Sequence, residues 1–252
     1  MTGKTHRAGG MLCSLVGFAL LKDNNLLLPD VNEGLQWLVM YPFCMWGSIA
    51  SDLDHHWESC PSKDYPSWLV NKALHITAPV QKVMDKNLSN SQKKHNLVYK
   101  LATFLNAKHR SWQTHSDLTL FAMLFLLYSV ISGAFTSLGA VDVIIANLVI
   151  TGVCLGIIAH FILDVLTPEG VWLTLFVVFN RLIKSIFPRF KGLPEKLHLV
   201  PHKKFFATGE SWEMFVQKVL KVLTVLSLIW FLLTFLNPYI KDIIPYTITF
   251  NQ

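Results

Sequence analysis

The sequence predicts an all-α membrane protein with several spanning helices, and three observations support this fold class. Hydrophobic residues make up 52% of the 252 residues and charged residues only 15%, whereas soluble domains average about 25% charged residues. The mean hydropathy of the chain is +0.41. Residues 118–141 carry no charged side chain, and this segment is longer than the ~20 residues that a bilayer-spanning helix needs.

Five apolar segments are the predicted spans. In chain order they comprise residues 5–21, 35–50, 118–141, 143–166 and 222–240. The first two lie near the lower length limit for a span. The third and fourth are separated only by Asp142, so they predict a tight helical hairpin. Residues 171–187 are expected to form a re-entrant or interfacial piece.

The N-terminal segment is not expected to be a secretory signal. Lys4 and Arg7 precede its apolar part, but that part runs into LLKDNN without a small-residue cleavage site. The four cysteines show no CxxC spacing, and three of them lie in apolar segments. They are therefore expected to be reduced and packed, and to form neither a disulfide framework nor a zinc ribbon.

The distribution of charge predicts the orientation of the chain in the membrane. Nine Lys or Arg residues lie between residues 57 and 110, and seven lie between residues 181 and 204. The positive-inside rule puts both stretches in the cytoplasm. We therefore expect one multi-pass membrane domain over residues 1–252, with both basic stretches on the cytoplasmic side. Residues 57–108 are predicted to be a basic cytoplasmic insertion of short helices, and residues 181–215 a basic cytoplasmic loop.

The basic loops are interpreted as orientation signals that also attract anionic membrane lipids. No RNA-binding or DNA-binding motif accompanies them, so no specific nucleic-acid binding is expected. The chain also has no G-x-S-x-G, P-loop or Rossmann glycine pattern, which argues against a serine hydrolase and a nucleotide-binding protein. The eight tryptophans mostly bracket the predicted spans, as is typical of an interfacial belt.

The most informative feature is a pair of ionisable residues in an otherwise apolar helix, His160 and Asp164 in AHFILDVLTPEG. Residues four apart lie on one face of a helix, so both side chains point toward one object, most commonly a metal ion. Ionisable groups at membrane depth cost at least ~2.5 kcal/mol each, so function or pairing must compensate. The alternative interpretation is a single His/Asp hydrogen bond that ties helices together.

Three further polar islands flank the predicted spans. They are THRAGG with His6, SDLDHHWES with Asp52, Asp54 and His55, and HRSWQTHSD with His109, Arg110 and His115. With the His160/Asp164 pair, all fall at the predicted cytoplasmic face, although the charge argument did not use them. Histidine with carboxylate suits zinc and manganese-type or iron-type sites. We expect one or more divalent ions here, with zinc favoured, and the alternative is a set of separate structural hydrogen bonds.

Four other histidines are expected to be ordinary surface residues, because no carboxylate lies at ligand spacing from them. They are His75, His95, His198 and His202.

Arg110 extends the prediction from metal binding to chemistry. Its guanidinium can bind phosphate bidentately next to a candidate ligand, and the alternative is one more positive-inside charge. A metal ion with an arginine suggests hydrolysis of a phosphoester, because the ion polarises the phosphoryl oxygen and lowers the pKa of bound water. One of Asp52, Asp54 or Asp164 is then expected to act as a base instead of a ligand, and we select Asp54 with Arg110 as catalytic residues.

The order THRAGG, SDLDHH, HR...THS, AHFILDVLTPEGV and ATGESWE resembles the YdjM family of LexA-binding, inner-membrane-associated metal-dependent hydrolases. The resemblance runs from about residue 6 to residue 213. It implies a metal site made of His6, Asp52, Asp54, His55, His109, His115, His160 and Asp164. Glu213, in TGESWE, matches a recurring acidic position and is either a further ligand or a helix-start charge.

The chain departs from the family pattern at two positions. The element from His109 to His115 is one residue longer than the usual HRG-x-THS and lacks its glycine, and Ser51 stands where a proline usually precedes D-x-D-H. A more distant similarity, restricted to the ligand pattern, is to zinc-dependent phospholipase C and P1-type nucleases.

The sequence thus predicts a membrane-bound metal-dependent hydrolase of anionic phosphoesters, with lipid phosphoesters among the expected substrates. The rival prediction is a non-catalytic membrane protein that has a structural metal or His/Asp network and binds a cytosolic regulatory protein. A transporter is disfavoured, because the polar residues cluster at one face and not at the midplane.

Overall fold

The computed structural model describes residues 3–23, 27, 31–55, 57–106, 114–131, 140–200 and 210–243. These residues are mostly helical. The α-helices are α1 (Gly3–Asp23), α2 (Glu33–Ala50), α3 (Tyr65–Leu74), α4 (Ala78–Asn87), α5 (Asn90–His95), α6 (Leu97–Leu105), α7 (Asp117–Ile131), α8 (Ala140–Val165), α9 (Thr174–Ile186) and α10 (Ser211–Ile243). Two short strands, β1 (Val171–Trp172) and β2 (Lys196–Leu197), pair antiparallel. The predicted helical character is confirmed for the described residues, and the two short strands were not predicted.

Helix α8 is at the centre of the packing. It contacts α1, α2 and α7, and α10 packs against α1. One core cluster joins Phe18 of α1, Met40 of α2 and Leu148 of α8, and another joins Leu163 of α8 to Val216 of α10. The centre of the bundle is thus formed by α8 with α1 and α2, whereas α7 and α10 leave many apolar side chains exposed.

Helices α2 and α8 cross with their backbones in contact, because glycine occupies the crossing positions. A Cβ at Gly156 would lie 2.2 Å from the carbonyl oxygen of Cys44, and one at Gly47 would lie 2.4 Å from that of Val153. A Cβ at Gly152 would lie 2.6 Å from the carbonyl oxygen of Met40. Small residues four apart allow this close approach between membrane helices.

The chain leaves α8 through a sharp turn that also anchors a distant segment. The Thr167 hydroxyl donates to the carbonyl of Asp164 at 2.7 Å, and Gly170 takes a φ of 60°, a left-handed conformation that favours glycine. In β1, the backbone N–H of Trp172 then donates to the carbonyl of His115 at 2.9 Å. The end of α8 and the segment before α7 are therefore held together by backbone hydrogen bonds.

Among the described residues, two helical stretches are long and apolar enough to cross a membrane. They are Ile145–Val165 in α8 and Ser211–Leu233 in α10, and they overlap the spans predicted at 143–166 and 222–240. The apolar stretch of α7, Asp117–Val130, is shorter, and residues 132–139 of the span predicted at 118–141 lie outside the described part. The spans predicted at 5–21 and 35–50 form the helices α1 and α2, but neither helix is one of the two stretches that are long and apolar enough to cross a membrane. The segment predicted at 171–187 contains β1 and α9.

The basic insertion contains α3 to α6. Asp64 and Asn96 cap two of these helices, with side-chain oxygens that accept from the N–H groups of Ser67 and Tyr99, and Ser89 forms a capping box with Gln92. Asn71 connects the insertion to the 3-10 turn Ser51–Asp54 that follows α2, as described below. Of the basic loop predicted at 181–215, the structure describes the end of α9, β2 and the start of α10.

Replacing Gly156 with alanine is expected to destabilise the protein by roughly 1–3 kcal/mol, because the new methyl group would meet the α2 backbone, which cannot rotate away. Thermal unfolding of the purified protein in detergent measures the effect. Gly9→Ala is the matched control, since its methyl group would mainly meet the flexible end of Leu163. Equal unfolding temperatures for the two variants would contradict the crossing described here.

Candidate metal centre

Four separate segments bring ionisable side chains to one buried point. His6 comes from the first turns of α1, Asp52 from the 3-10 turn after α2, and His115 from the segment before α7. His160 and Asp164 come from the last turns of α8. All five residues are at most 6% exposed. The structure thus brings together five of the predicted ligands.

Four of these side chains point inward at spacings that suit ligands of a single ion. The Nε2 atom of His160 lies 3.2 Å from Nε2 of His115 and 3.2 Å from Oδ2 of Asp164. Nε2 of His115 lies 3.4 Å from that same Asp164 oxygen and 3.5 Å from Oδ1 of Asp52. Tetrahedral coordination with bonds of about 2.0–2.2 Å places neighbouring ligand atoms about 3.3–3.6 Å apart. The Nε2 atom of His160 and Oδ1 of Asp52 are farther apart, at 3.9 Å.

Hydrogen bonds on the outer ring nitrogens orient both inner histidines. Nδ1 of His160 lies 2.8 Å from the carbonyl oxygen of Ser48 and therefore donates to it. Nδ1 of His115 lies 2.9 Å from the Thr114 hydroxyl, which donates to Oδ2 of Asp54 at 2.5 Å and so accepts from the ring. When both imidazoles are neutral, each presents an Nε2 lone pair to the same point. Two such lone pairs 3.2 Å apart repel unless a proton or a metal ion lies between them.

His6 completes the cluster from the other side of the two carboxylates. Its Nε2 atom is 3.5 Å from Oδ1 of Asp164 and 3.8 Å from Oδ2 of Asp52. These are the carboxylate oxygens that do not face His115. The ring of His6 stacks on that of His160 at 3.8 Å between centroids, and it is fully buried. Neither of its ring nitrogens has a hydrogen-bond partner among the described residues.

The two aspartates of D-x-D-H have different environments. Asp52 faces the inner point, and its side chain is the most exposed of the five ligands at 9%. Asp54 lies on the outer side of His115, with Oδ2 3.6 Å from Nδ1 of that ring. A carboxylate at this position orients a metal-binding histidine. The geometry therefore gives Asp54 a supporting position behind a ligand.

The other predicted site residues are in neither candidate ligand group of the described residues, or lie outside the described part. His55 ends the 3-10 turn, where its backbone carbonyl accepts from Asn71, and its side chain is in neither of the two candidate ligand groups found among the described residues. Glu213, in the first turn of α10, accepts a hydrogen bond of 2.6 Å from the Thr5 hydroxyl next to His6. His109 and Arg110 lie in residues 107–113, which are outside the described residues.

Two supporting residues were not predicted from the sequence. Asn71 of α3 is buried and donates to the carbonyls of Leu53 at 2.6 Å and His55 at 2.7 Å, so the insertion holds the turn that carries the aspartates. Thr114 bridges His115 and Asp54. Its position beside His115 in THS was a signal that could have identified it, whereas no local pattern distinguishes Asn71.

The charges of the cluster favour a cation at its centre. Burial opposes ionisation of Asp52, but the neighbouring His160, His115 and His6 hold the pKa of that carboxyl well below its usual range. Burial also opposes protonation of His115, but its contacts with Asp52 and Asp54 outweigh this and raise its pKa to about 9. The carboxylates thus attract positive charge. With the unbonded ring of His6 and the His/Asp donor set, this fits a divalent metal ion.

The purified protein is expected to carry bound divalent metal, and His160→Ala and Asp164→Ala are expected to lose most of it, because each removes a central ligand atom. Elemental analysis of the three proteins measures the metal content. His95→Ala is the matched control, since His95 is exposed on α5. Equal, substoichiometric metal in wild type and both site variants would contradict a metal centre.

The metal affinity is expected to rise about tenfold per pH unit between pH 7 and 9, because a proton must leave His115 before its nitrogen can bind. The sign follows from the raised pKa: below pH 9 the protonated form of His115 predominates and competes with the ion. Titration against a colorimetric chelator at several pH values measures the slope. Asp54→Asn should flatten it, and an affinity independent of pH in the wild type would contradict the argument.

Comparison with known protein families is consistent with the apolar helices. Neither a curated protein nor a solved structure matches the chain. The family model described as YdjM inner membrane protein matches residues 1–239, a range that contains all five clustered residues and both candidate spans. The chain therefore belongs to the YdjM family of inner membrane proteins.

Proposed function

We propose that this protein is a membrane-bound, metal-dependent hydrolase of phosphoesters. The observation that carries the proposal is the convergence of three histidines and two aspartates from four distant segments on one buried point. Each inner histidine is oriented by its own acceptor, which is typical of a metal ligand and unnecessary for a simple packing contact.

The donor set favours zinc and a catalytic role. Imidazole and carboxylate are the ligands of catalytic zinc sites, whereas structural zinc sites commonly contain cysteine thiolates. The free cysteines Cys13, Cys44, Cys60 and Cys154 are in neither candidate ligand group. When bound, a divalent ion would polarise a phosphoryl oxygen and lower the pKa of a water molecule.

The residues of the chain have distinct roles in this proposal. His115, His160 and Asp164 hold the ion, and Thr114 with Asp54 fixes the ring of His115. Asp52 is the most exposed member of the set, so substrate approaches on its side, and its carboxylate accepts the proton of the attacking water. The role of base therefore moves from Asp54, selected from the sequence, to Asp52. Arg110 neutralises the phosphate.

Charge and family support a location and an orientation for the site. The basic stretches at 57–110 and 181–204 support a multi-pass arrangement in the inner membrane. The metal centre lies at the same ends of the helices as these basic stretches. In this arrangement it therefore faces the cytoplasm. The basic loops then lie against anionic lipid headgroups, and the substrate reaches the site from the membrane surface.

A second candidate function is a structural metal site in a non-catalytic protein that binds a cytosolic regulator. One observation favours it: four inward-facing atoms are enough to fill the coordination of a tetrahedral ion, as in structural sites. In that case LexA-type regulator binding, implied by the family resemblance, would rest on the basic cytoplasmic loops.

Phosphoester hydrolysis by the purified protein distinguishes the two functions. A panel of a phospholipid, an oligonucleotide and a small aryl phosphoester is expected to contain a substrate that is cleaved with zinc and not after chelation. Asp52→Asn should reduce kcat strongly while it retains most of the bound metal, because it removes the base and leaves a ligand oxygen. Bound metal without turnover of any substrate would favour the structural function.

A further inference from the structure

An apolar cavity of about 440 Å³ lies beside the metal centre, between α2, α3, α7 and α8. Its volume is in the range of small-molecule sites. Its lining is mostly apolar, and of its polar members Ser51, Thr114 and Thr119 the first two are next in the chain to residues of the metal centre. Ser51 precedes Asp52 in the chain, and Thr114 hydrogen-bonds Asp54. The cavity is thus lined by the residues that directly precede Asp52 and His115 in the chain.

The rest of the cavity extends away from the site along two apolar helices. On α7 the lining residues include Thr119, Met123 and Leu126, and on α8 they extend from Val149 to Ile157. These positions form one face of each helix. Eight residues of helix correspond to about 12 Å. The cavity is therefore elongated and runs along the membrane-spanning part of α8, which is Ile145–Val165.

We propose that this cavity holds one hydrocarbon chain of a membrane lipid whose phosphoester lies at the metal centre. The inference rests on the proposed hydrolase function and specifies its substrate class as an amphiphilic phosphoester. An apolar cavity of this size is a poor site for water, which needs polar partners, and a good site for hydrocarbon. Its position along a candidate membrane span, and its lining by the residues next to Asp52 and His115, favour a lipid chain over a soluble apolar molecule.

The exposed face of α7 indicates where the lipid chain would come from, namely the surrounding bilayer. Phe121, Leu124 and Phe125 project outward from α7 on the side opposite the cavity lining, so this helix has one face toward the cavity and one toward its surroundings. The surroundings of a lipid chain are about equally apolar in the bilayer and in the cavity. Occupancy is therefore controlled by shape and by the position of the headgroup, and not by transfer from water.

Photocrosslinking tests occupancy independently of catalysis. The full-length protein is reconstituted in phosphatidylcholine vesicles that contain a trace of a phospholipid with a diazirine near the end of one acyl chain. We expect crosslinks on the cavity faces of residues 119–126 and 149–157. Leu126→Trp, which blocks the end far from the metal centre, should reduce those crosslinks roughly tenfold. Leu124→Trp, the same change on the outer face, should leave them unchanged.

Separate control measurements establish that the variants are folded and that the enzyme is active. Retained metal content identifies a folded Leu126→Trp protein, and Ile150→Phe on the facing wall gives a second obstruction. For water-soluble alkyl phosphoesters below their micelle concentration, kcat/KM should rise about fourfold per added methylene and level off at a shorter chain in Leu126→Trp. The proposal is overturned if Leu126→Trp and Leu124→Trp give equal crosslinking at the cavity faces, or if kcat/KM of active enzyme does not depend on chain length.

Absence of all hydrolysis would contradict the hydrolase function, and the crosslinking result would still decide whether a lipid chain occupies the cavity.

Discussion

The backbone contact between α2 and α8 is the constraint on which the metal centre depends. Packed helices usually lie 8–10 Å apart, but the glycines at this crossing remove the side chains that would separate them. Only at this distance does the Ser48 carbonyl reach Nδ1 of His160. The turn that follows α2 is then placed opposite the end of α8, where Asp52 and Asp164 face the same histidine.

The energetic cost of burying these ionisable groups in an apolar bundle is reduced because each of them has an oppositely charged or hydrogen-bonding group nearby. A charge in a low-dielectric interior is costly alone and interacts strongly with an opposite charge. The described part of the site follows this rule, since the carboxylates face imidazoles and the outer ring nitrogens of His115 and His160 face acceptors. What the cluster still favours at its centre is positive charge, and this is the physical basis for assigning it to a metal ion. The same apolar helices also line the adjacent cavity, so the candidate metal centre and the proposed lipid site depend on one packing arrangement.

The parts of the fold and site that could be predicted are those governed by local rules. The i, i+4 spacing put His160 and Asp164 on one face, and the structure has them 3.2 Å apart. Apolar length identified α8 and α10, because spanning a bilayer needs a fixed number of apolar residues. Asn71 could not be predicted, since its hydrogen bonds to the Leu53 and His55 carbonyls join an insertion to a turn far away in the chain. For the same reason, D-x-D-H alone does not separate the inner Asp52 from the outer Asp54.

By itself, the sequence determined the helical, membrane-type character of the protein and the kinds of ligand available to it, because composition, apolar length and helical spacing act within a single segment. Tertiary structure decided which oxygen and nitrogen atoms meet, which aspartate supports a ligand, and that an apolar cavity opens beside the site. These properties depend on the distance and rotation between α1, α2, α7 and α8. The glycine contacts between the α2 and α8 backbones fix one part of that geometry, and no local pattern in the chain specifies it in advance.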